Sequence, residues 1–310
     1  MLFKSADDKS KRLRLLESPQ ASPHIDARQR NWLAEELTRQ QRGLHGERDA
    51  AFHLDSLLRD GANTALLHDL RFVVDDEVAQ IDHLVFNRLF DFILIETKCY
   101  NGHVLVNEHG EFSVRYGNGK LFGVPSPLAQ SERHARVLAK LLERLGITGR
   151  LGTQPRFHHL VLLHPKAIIT RPAPERFDTR NVIKADQFPE WRERWVDSAS
   201  ATTAMSSLLN IRGRDTLKDW AELLIQAHHP TDLLALPDFM RPGAPSAPAP
   251  QAHAEMTDAP PKRLICATCG SKISFAEGKF CWSKPERFGG LQYCREHQGK
   301  SDPASTPVRR

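Results

Sequence analysis

The chain has 310 residues, enough for one or two domains with appendages. Apolar residues make up 40% and charged residues 26%, which excludes a wholly disordered chain, and no apolar run approaches the roughly 20 residues of a membrane helix. Lys and Arg number 43 against 38 Asp and Glu, a formal charge of +5; this admits a polyanionic partner such as DNA or RNA without requiring one. The start, MLFKSADDKSKRLRLLESPQ, lacks the apolar stretch of a secretory signal, so the expected compartment is the cytoplasm.

Residues 1–26 are charged and broken by Pro19 and Pro23, and read as an N-terminal arm. Helical spacing predicts one helix over 27–41, with Trp32, Leu33 and Leu37 on one side, and a second over 47–59, with Ala50, Ala51, Leu54, Leu57 and Leu58 recurring. Gly61 stops it. The period then changes, and residues 64–74, 80–86, 92–98, 103–106 and 111–116 read as strands separated by turn-rich pieces. Leu84-Val85-Phe86 and Phe92-Ile93-Leu94-Ile95 are apolar on both faces, as strands are in the middle of a covered sheet. Ser126 and Pro127 suit the cap and first turn of a helix to about 145. Residues 160–163 read as another buried strand, and 186–196 and 215–227 as helices. The fold class expected is α/β. A Pro- and Ala-rich stretch over 241–262 reads as a linker, residues 263–298 as a compact module and 299–310 as a polar tail. Residues 43–240 form the main domain in this division, with 151–240 either extending it or adding a helical layer.

The segment Ile95-Glu96-Thr97-Lys98 puts two charges at the end of an apolar strand, where desolvation is costly. Glu96 and Lys98, two apart, share a face. If the strands before and after Leu89 form a hairpin centred there, facing residue numbers sum to 178 and Asp82 faces Glu96, with about 5 Å between Cβ atoms. Adjacent carboxylates repel unless a proton or a cation lies between them, and Mg²⁺ suits an oxygen site that retains waters. The plainer reading is a structural pair, Glu96 with Lys98, and Asp82 capping a turn.

Several elements occur in a fixed order: Gly46-Glu47, Ile81-Asp82-His83, Ile95-Glu96-Thr97-Lys98, Gly102, and Pro127 followed by Gln130. In this order they resemble the nuclease-related domain (NERD) family, a branch of the PD-(D/E)xK nuclease superfamily, over about residues 43–150. The resemblance implies a central mixed β-sheet flanked by helices, like a restriction endonuclease. It implies Asp82 and Glu96 as ligands of a catalytic Mg²⁺ (Mn²⁺ as the substitute) and Lys98 as the catalytic lysine. Glu47 is implied as a further acid near the metal, and Gln130 as a group positioning the lysine or the phosphate backbone. The chain departs from the family at the Pro-Asp element, which here is Ile81-Asp82; no ligand is lost by that.

Four of the five cysteines (Cys266, Cys269, Cys281 and Cys294) fall within 29 residues. In a reducing compartment this points to metal before disulfides. Cys266 with Cys269, and Cys294 with His297, form CxxC and CxxH knuckles that together offer four ligands to a structural zinc. Cys281 is the alternative to His297. Phe275, Phe280, Trp282, Phe288 and Tyr293 are the expected miniature core, and Lys272, Lys279, Lys284, Arg287 and Arg295 could meet phosphates. Cys99 and His83 read as packing residues. His158-His159 and His228-His229 lack partners at metal spacing, and Gly117-Asn118-Gly119-Lys120 is a turn rather than a phosphate loop.

The function expected from sequence is a Mg²⁺-dependent nuclease acting on DNA by metal-assisted hydrolysis, with a zinc module and no membrane partner. Two alternatives stand beside it. One is a non-catalytic nucleic-acid-binding protein on a nuclease scaffold; the other makes the C-terminal module a protein-recruitment device.

Overall fold

The computed structural model describes residues 1–198, 211–240, 264–288 and 291–299. Contacts divide the chain into residues 1–242 and 243–310. The expected linker and polar tail fall almost wholly outside the described residues.

The first unit is α/β. Its six-stranded mixed sheet places in order β1 (Leu2–Lys4), β2 (Thr64–Val74), β3 (Glu77–Asn87), β4 (Asp91–Lys98), β8 (Arg156–Leu163) and β10 (Val182–Lys184). β2 (Thr64–Val74) and β3 (Glu77–Asn87) form an antiparallel hairpin. Asp75 and Asp76 turn it, both with positive φ (49° and 62°), a backbone that aspartate tolerates and that matches the strand twist. β4 (Asp91–Lys98) returns antiparallel to β3 and runs parallel to β8 (Arg156–Leu163), which in turn runs parallel to β10 (Val182–Lys184). The parallel step from β4 to β8 needs a crossover. Helix α3 (Pro127–Arg144) lies within it, capped by Ser126 Oγ, which accepts from the Ala129 N–H at 3.3 Å.

That crossover also holds β5 (His103–Val106), β6 (Phe112–Arg115) and β7 (Leu121–Val124), which with β9 (Ile169–Thr170), from the segment after β8, form a four-stranded sheet ordered β7-β6-β5-β9. β7 was not expected from sequence, since Leu121 and Phe122 are both exposed and show no buried alternation. Gly102 permits the approach to β6: a Cβ there would stand 2.6 Å from the Arg115 carbonyl oxygen. Val104, Val106 and Phe112 pack on Val161, Leu163 and Val182.

The N-terminal segment is not an arm. β1 (Leu2–Lys4) adds a parallel strand to β2, and α1 (Ser10–Glu17) buries Leu16. Nor are there two helices after it. α2 runs unbroken over Ala27–Leu58, 32 residues, from a capping box between Asp26 and Gln29. Gly43 and Gly46 lie between the two predicted helices, but a helical glycine costs only about 1 kcal/mol against alanine. Contact with the sheet offsets that: Ala50, Leu54 and Leu58 pack on Leu66, Val85, Ile93, Ile95, Leu160 and Leu162. α4 (Phe188–Asp197) adds Phe188 and Trp191 to this face. α3 and α5 (Arg214–Gln226) cover the other face, with Leu138, Leu142, Trp220 and Leu224 packing on Phe72, Phe86, Phe92 and Leu94. β8 and β10 thus complete the central sheet, and β9 joins the smaller one. Among the described residues no helix is long and apolar enough to cross a membrane.

The second unit holds α6 (Phe275–Trp282), capped by Ser274 with Glu277 at 2.7 Å, and two short turns of helix, Pro285–Phe288 and Arg295–Gln298. Its core differs from the expected aromatic cluster. Phe288 is buried, but Phe275 is 66% exposed, Phe280 41% and Trp282 44%. Ile273, Cys266 and Cys281 fill the interior instead. An eight-residue helix has one buried stripe, and here Gly278 and Cys281 occupy it.

Candidate functional site

The β3–β4 hairpin has the register read from sequence. His83 faces Ile95, Leu84 faces Leu94, Val85 faces Ile93 and Phe86 faces Phe92, each pair summing to 178. Asp82 and Glu96 are the next step, and there Asp82 Oδ2 accepts from the Thr97 amide at 2.7 Å. Phe92 and Leu94 belong to the α3-side core, so Glu96 and Lys98 continue that face. Gln130, in the first turn of α3, donates to Glu96 Oε1 at 2.6 Å; Lys98 Nζ donates to the same oxygen, also at 2.6 Å. One turn along α3, His134 Nδ1 lies 3.9 Å from Glu96 Oε2.

The opposite face brings Glu47. Gly46 lies against the end of β4, since a Cβ on it would sit 2.8 Å from Cys99 Cβ and 3.6 Å from Thr97 Cγ2. That approach sets Glu47 beside the strand end, where Lys9 Nζ meets its Oε2 at 2.9 Å and Asp69 Oδ2 at 3.3 Å. Asp69 has φ +52°, and the β2–β3 ladder skips from His68↔His83 to Leu70↔Ile81 across it. At this break the inward set changes parity, from Ala65 and Leu67 to Leu70 and Phe72 on β2, and from Ala79 and Ile81 to Leu84 and Phe86 on β3. Asp82 sits opposite the irregularity, which frees its carboxylate for Thr97. His83 is buried, as read, in a chain running from Thr97 Oγ1 (3.1 Å from His83 Nε2) through the His83–His68 Nδ1 pair (2.7 Å) to Asp55 (3.0 Å from His68 Nε2).

Electrostatics separate these groups. Burial, Glu96 and Glu47 push the Asp82 carboxyl well above the ordinary range. Glu96, 3% exposed, is raised by burial and by Glu47, although Lys98 and Gln130 pull it down. Lys98 stays a firm ammonium: burial lowers it, but Glu96 and Asp82 raise it further. Burial, Arg133 and Lys98 bring His134 down to about 4, so it is neutral at neutral pH. Among the described residues Lys9 pairs with Glu47 and Asp69, and Lys98 with Glu96; with Asp82 beside them, these four carboxylates and two lysines carry an excess of two negative charges when all are ionised. An all-oxygen donor set with that excess fits one hard divalent cation. No three of these carboxylates bring their oxygens within 4.8 Å of one another; Glu47 and Asp69 turn to Lys9, Asp82 to the Thr97 amide and Glu96 to Lys98 and Gln130.

Residues 42–164 match the family model of the nuclease-related domain. This segment, less than half of the chain, is similar to a nuclease-related domain. No curated protein and no solved structure matches the chain. The domain holds all five residues singled out from sequence, Glu47, Asp82, Glu96, Lys98 and Gln130, and the structure gathers them around the end of β4. Three neighbours escaped the sequence reading. His134 is one turn beyond Gln130 on the same helix face, a spacing that could have marked it. Lys9 and Asp69 gave no signal, for one lies in a segment read as an arm and the other in the middle of a strand. Lys9 also lies outside the matched domain, so the N-terminal segment completes the electrostatics of the site.

In the second unit Cys266, Cys269, Cys294 and His297 bring one ligand atom each to within 4.8 Å of the others. Cys294 Sγ is 3.1 Å and Cys266 Sγ 3.7 Å from His297 Nδ1, and Cys269 Sγ is 3.9 Å from Cys294 Sγ. Cys281 is outside the group; its sulfur accepts from the Tyr293 amide at 3.4 Å and from Gln298 Nε2 at 3.5 Å. Burial raises the Cys266 thiol, but the amides of Cys294, Cys269 and Thr268 outweigh it and bring it to about 6. A thiolate held by backbone N–H groups, with two more sulfurs and an imidazole, fits tetrahedral zinc.

Proposed function

We propose that the nuclease-related domain is an active Mg²⁺-dependent nuclease that hydrolyses phosphodiester bonds of DNA. Glu96 carries the reading: one buried carboxylate shares an oxygen with Lys98 and Gln130 and lies beside Asp82. In this reading Asp82 and Glu96 hold the cation (Mg²⁺, with Mn²⁺ able to replace it), and Glu47 approaches it from α2. Bound there, the cation supplies Lewis-acid activation of water and neutralises phosphate charge. Lys98, kept protonated by its neighbours, donates to the phosphate oxygen on which charge develops. Gln130 holds the Glu96 carboxylate so that its second oxygen is free, and neutral His134 borders that oxygen. The Cys266–Cys269–Cys294–His297 group would hold a structural zinc, and Lys272, Lys279, Lys284, Arg287 and Arg295 would contact the DNA backbone.

The test is cleavage of linear and circular DNA by the full chain with Mg²⁺, with chelator and Glu96→Ala as controls. Cleavage lost in both controls supports the reading, and cutting of the circular substrate identifies an endonuclease. A non-catalytic DNA-binding scaffold is the second reading. The observation in its favour is that Glu96 and Glu47 already have lysine partners, at 2.6 Å and 2.9 Å. It predicts salt-sensitive DNA binding that Glu96→Ala leaves intact and no cleavage at all. The exposed Phe275, Phe280 and Trp282 favour a protein-recruitment role for the module. That role predicts unchanged DNA affinity when residues 263–310 are removed.

A further inference from the structure

The helix that carries Glu47 also carries two potential ligands on its other flank. At roughly 100° per residue, Gly46 points at β4, Glu47 turns to one side, and His45 and Asp49, four apart, turn together to the other. There they meet His164, the first residue after β8. Nε2 of His45 is 3.4 Å and Nε2 of His164 3.3 Å from Asp49 Oδ2. One ligand atom from each of the three falls within 4.8 Å of the others, and among the described residues only the Cys266 group shares this property. Both distances are longer than the roughly 2.7–2.9 Å of a closed charge-assisted hydrogen bond. The three side chains therefore converge on one point without forming a tight ion pair.

We propose that His45, Asp49 and His164 form a second metal site, selective for a borderline divalent cation such as Zn²⁺, Ni²⁺ or Co²⁺. Two imidazoles and one carboxylate favour that class over Mg²⁺, which takes oxygen ligands. Three protein ligands leave positions open for water, and the 64% exposure of the His45 side chain places them at the surface. The site is weaker than the cysteine group for a visible reason. The Lys166 amide donates to His164 Nδ1 at 3.1 Å, so in the metal-free protein Nε2 carries the proton, directed at Asp49. A cation on Nε2 displaces that proton to Nδ1, and the Lys166 amide loses its acceptor. The site is thus exchangeable. Its place gives it a structural consequence: β8 residue Leu163 pairs with Lys98, so a cation joining His164 to α2 ties the helix to the strand next to the candidate catalytic lysine. It fixes the rotation of α2 about Gly46, and with it the aim of Glu47.

The test is calorimetric titration of Ni²⁺ into the tag-free full chain, with its cysteine group loaded with zinc and with Mg²⁺ in excess. Binding to one further site is expected, weakened at least tenfold in His45→Ala and in His164→Ala. Asp49→Asn checks the carboxylate, and thermal unfolding without metal checks that the variants keep the fold. No binding by the wild-type chain, or binding that survives both histidine variants unchanged, would overturn the proposal. This result does not depend on whether the chain cleaves DNA.

Discussion

Replacing Gly46 by alanine sets two effects of similar size against each other. In a helix interior alanine is favoured over glycine by about 1 kcal/mol. The new Cβ, however, would stand 2.8 Å from Cys99 Cβ, with Cys99 Cα at 3.8 Å, whereas carbon atoms pack at about 3.5–4.0 Å. Neither partner is the free end of a long side chain. One is tied to the middle of a 32-residue helix, the other to the backbone directly after β4. The helix must lift by up to about 1 Å, and overpacking of this kind costs about 1–3 kcal/mol. The net expectation is a loss of up to about 2 kcal/mol, despite the better helix former. Cys99→Gly removes the opposing atom, so the double variant should recover stability beyond additivity, with a coupling of about 0.5–3 kcal/mol. Urea unfolding of the wild type, both single variants and the double variant measures this cycle. If Gly46→Ala is stabilised by about 1 kcal/mol, and no coupling to Cys99 appears, the close approach of α2 to β4 is wrong.

Two further outcomes follow from the same geometry. Asp91 is 5% exposed; burial pushes its carboxyl up, but His158, Arg156 and Asn87 outweigh this and hold it at about 2. Against an ordinary value of 3.8, that difference is worth about 2 kcal/mol. Asp91→Asn should lose about that much at neutral pH. Because the folded value is depressed, the contribution is complete above about pH 4 and disappears as pH falls to about 2; a wild-type advantage undiminished in urea unfolding near pH 2 would contradict it. For the second unit, Cys281→Ala should leave the zinc content of the chain unchanged, whereas Cys266→Ser should lower it and unfold residues 264–299, as a chelator would. Metal analysis with the fluorescence of Trp282 distinguishes the two, and loss of zinc in Cys281→Ala would reinstate that cysteine as a ligand.

The candidate site was more legible in the sequence than its surroundings. A hairpin centred on Leu89, assumed from the two apolar runs on either side, has the register found in the structure, and that register puts Asp82 opposite Glu96. The spacing of Glu96 and Lys98 needs only strand geometry. Gln130 came from the family resemblance rather than from spacing. What stayed hidden depends on distant contacts or unusual backbone. Nothing local marks Asp69 as left-handed, so the change of parity in β2 and β3 could not be foreseen. Lys9 reaches Glu47 only because β1 joins the sheet, and a three-residue edge strand carries almost no periodic signal. Apolar periodicity lapses between residues 41 and 47, although the helix runs on and Gly46 there serves close packing on Cys99. In the second unit, aromatic content does not mark burial: Phe275, Phe280 and Trp282 are exposed. Four ligands on one point leave little interior, and Cys281 with Ile273 and Phe288 fills it.

In the function proposed above, Glu96 and its neighbours make the nuclease-related domain a metal-dependent nuclease. The measurement that bears on it most directly is Mg²⁺-dependent cleavage of plasmid DNA by the wild-type chain and by Glu96→Ala, both confirmed folded. The expected result is cleavage that chelator abolishes and Glu96→Ala reduces by at least about 100-fold, a size typical for loss of one electrostatic stabiliser. Full activity in Glu96→Ala, or no cleavage by a folded wild-type chain that binds DNA, would contradict it.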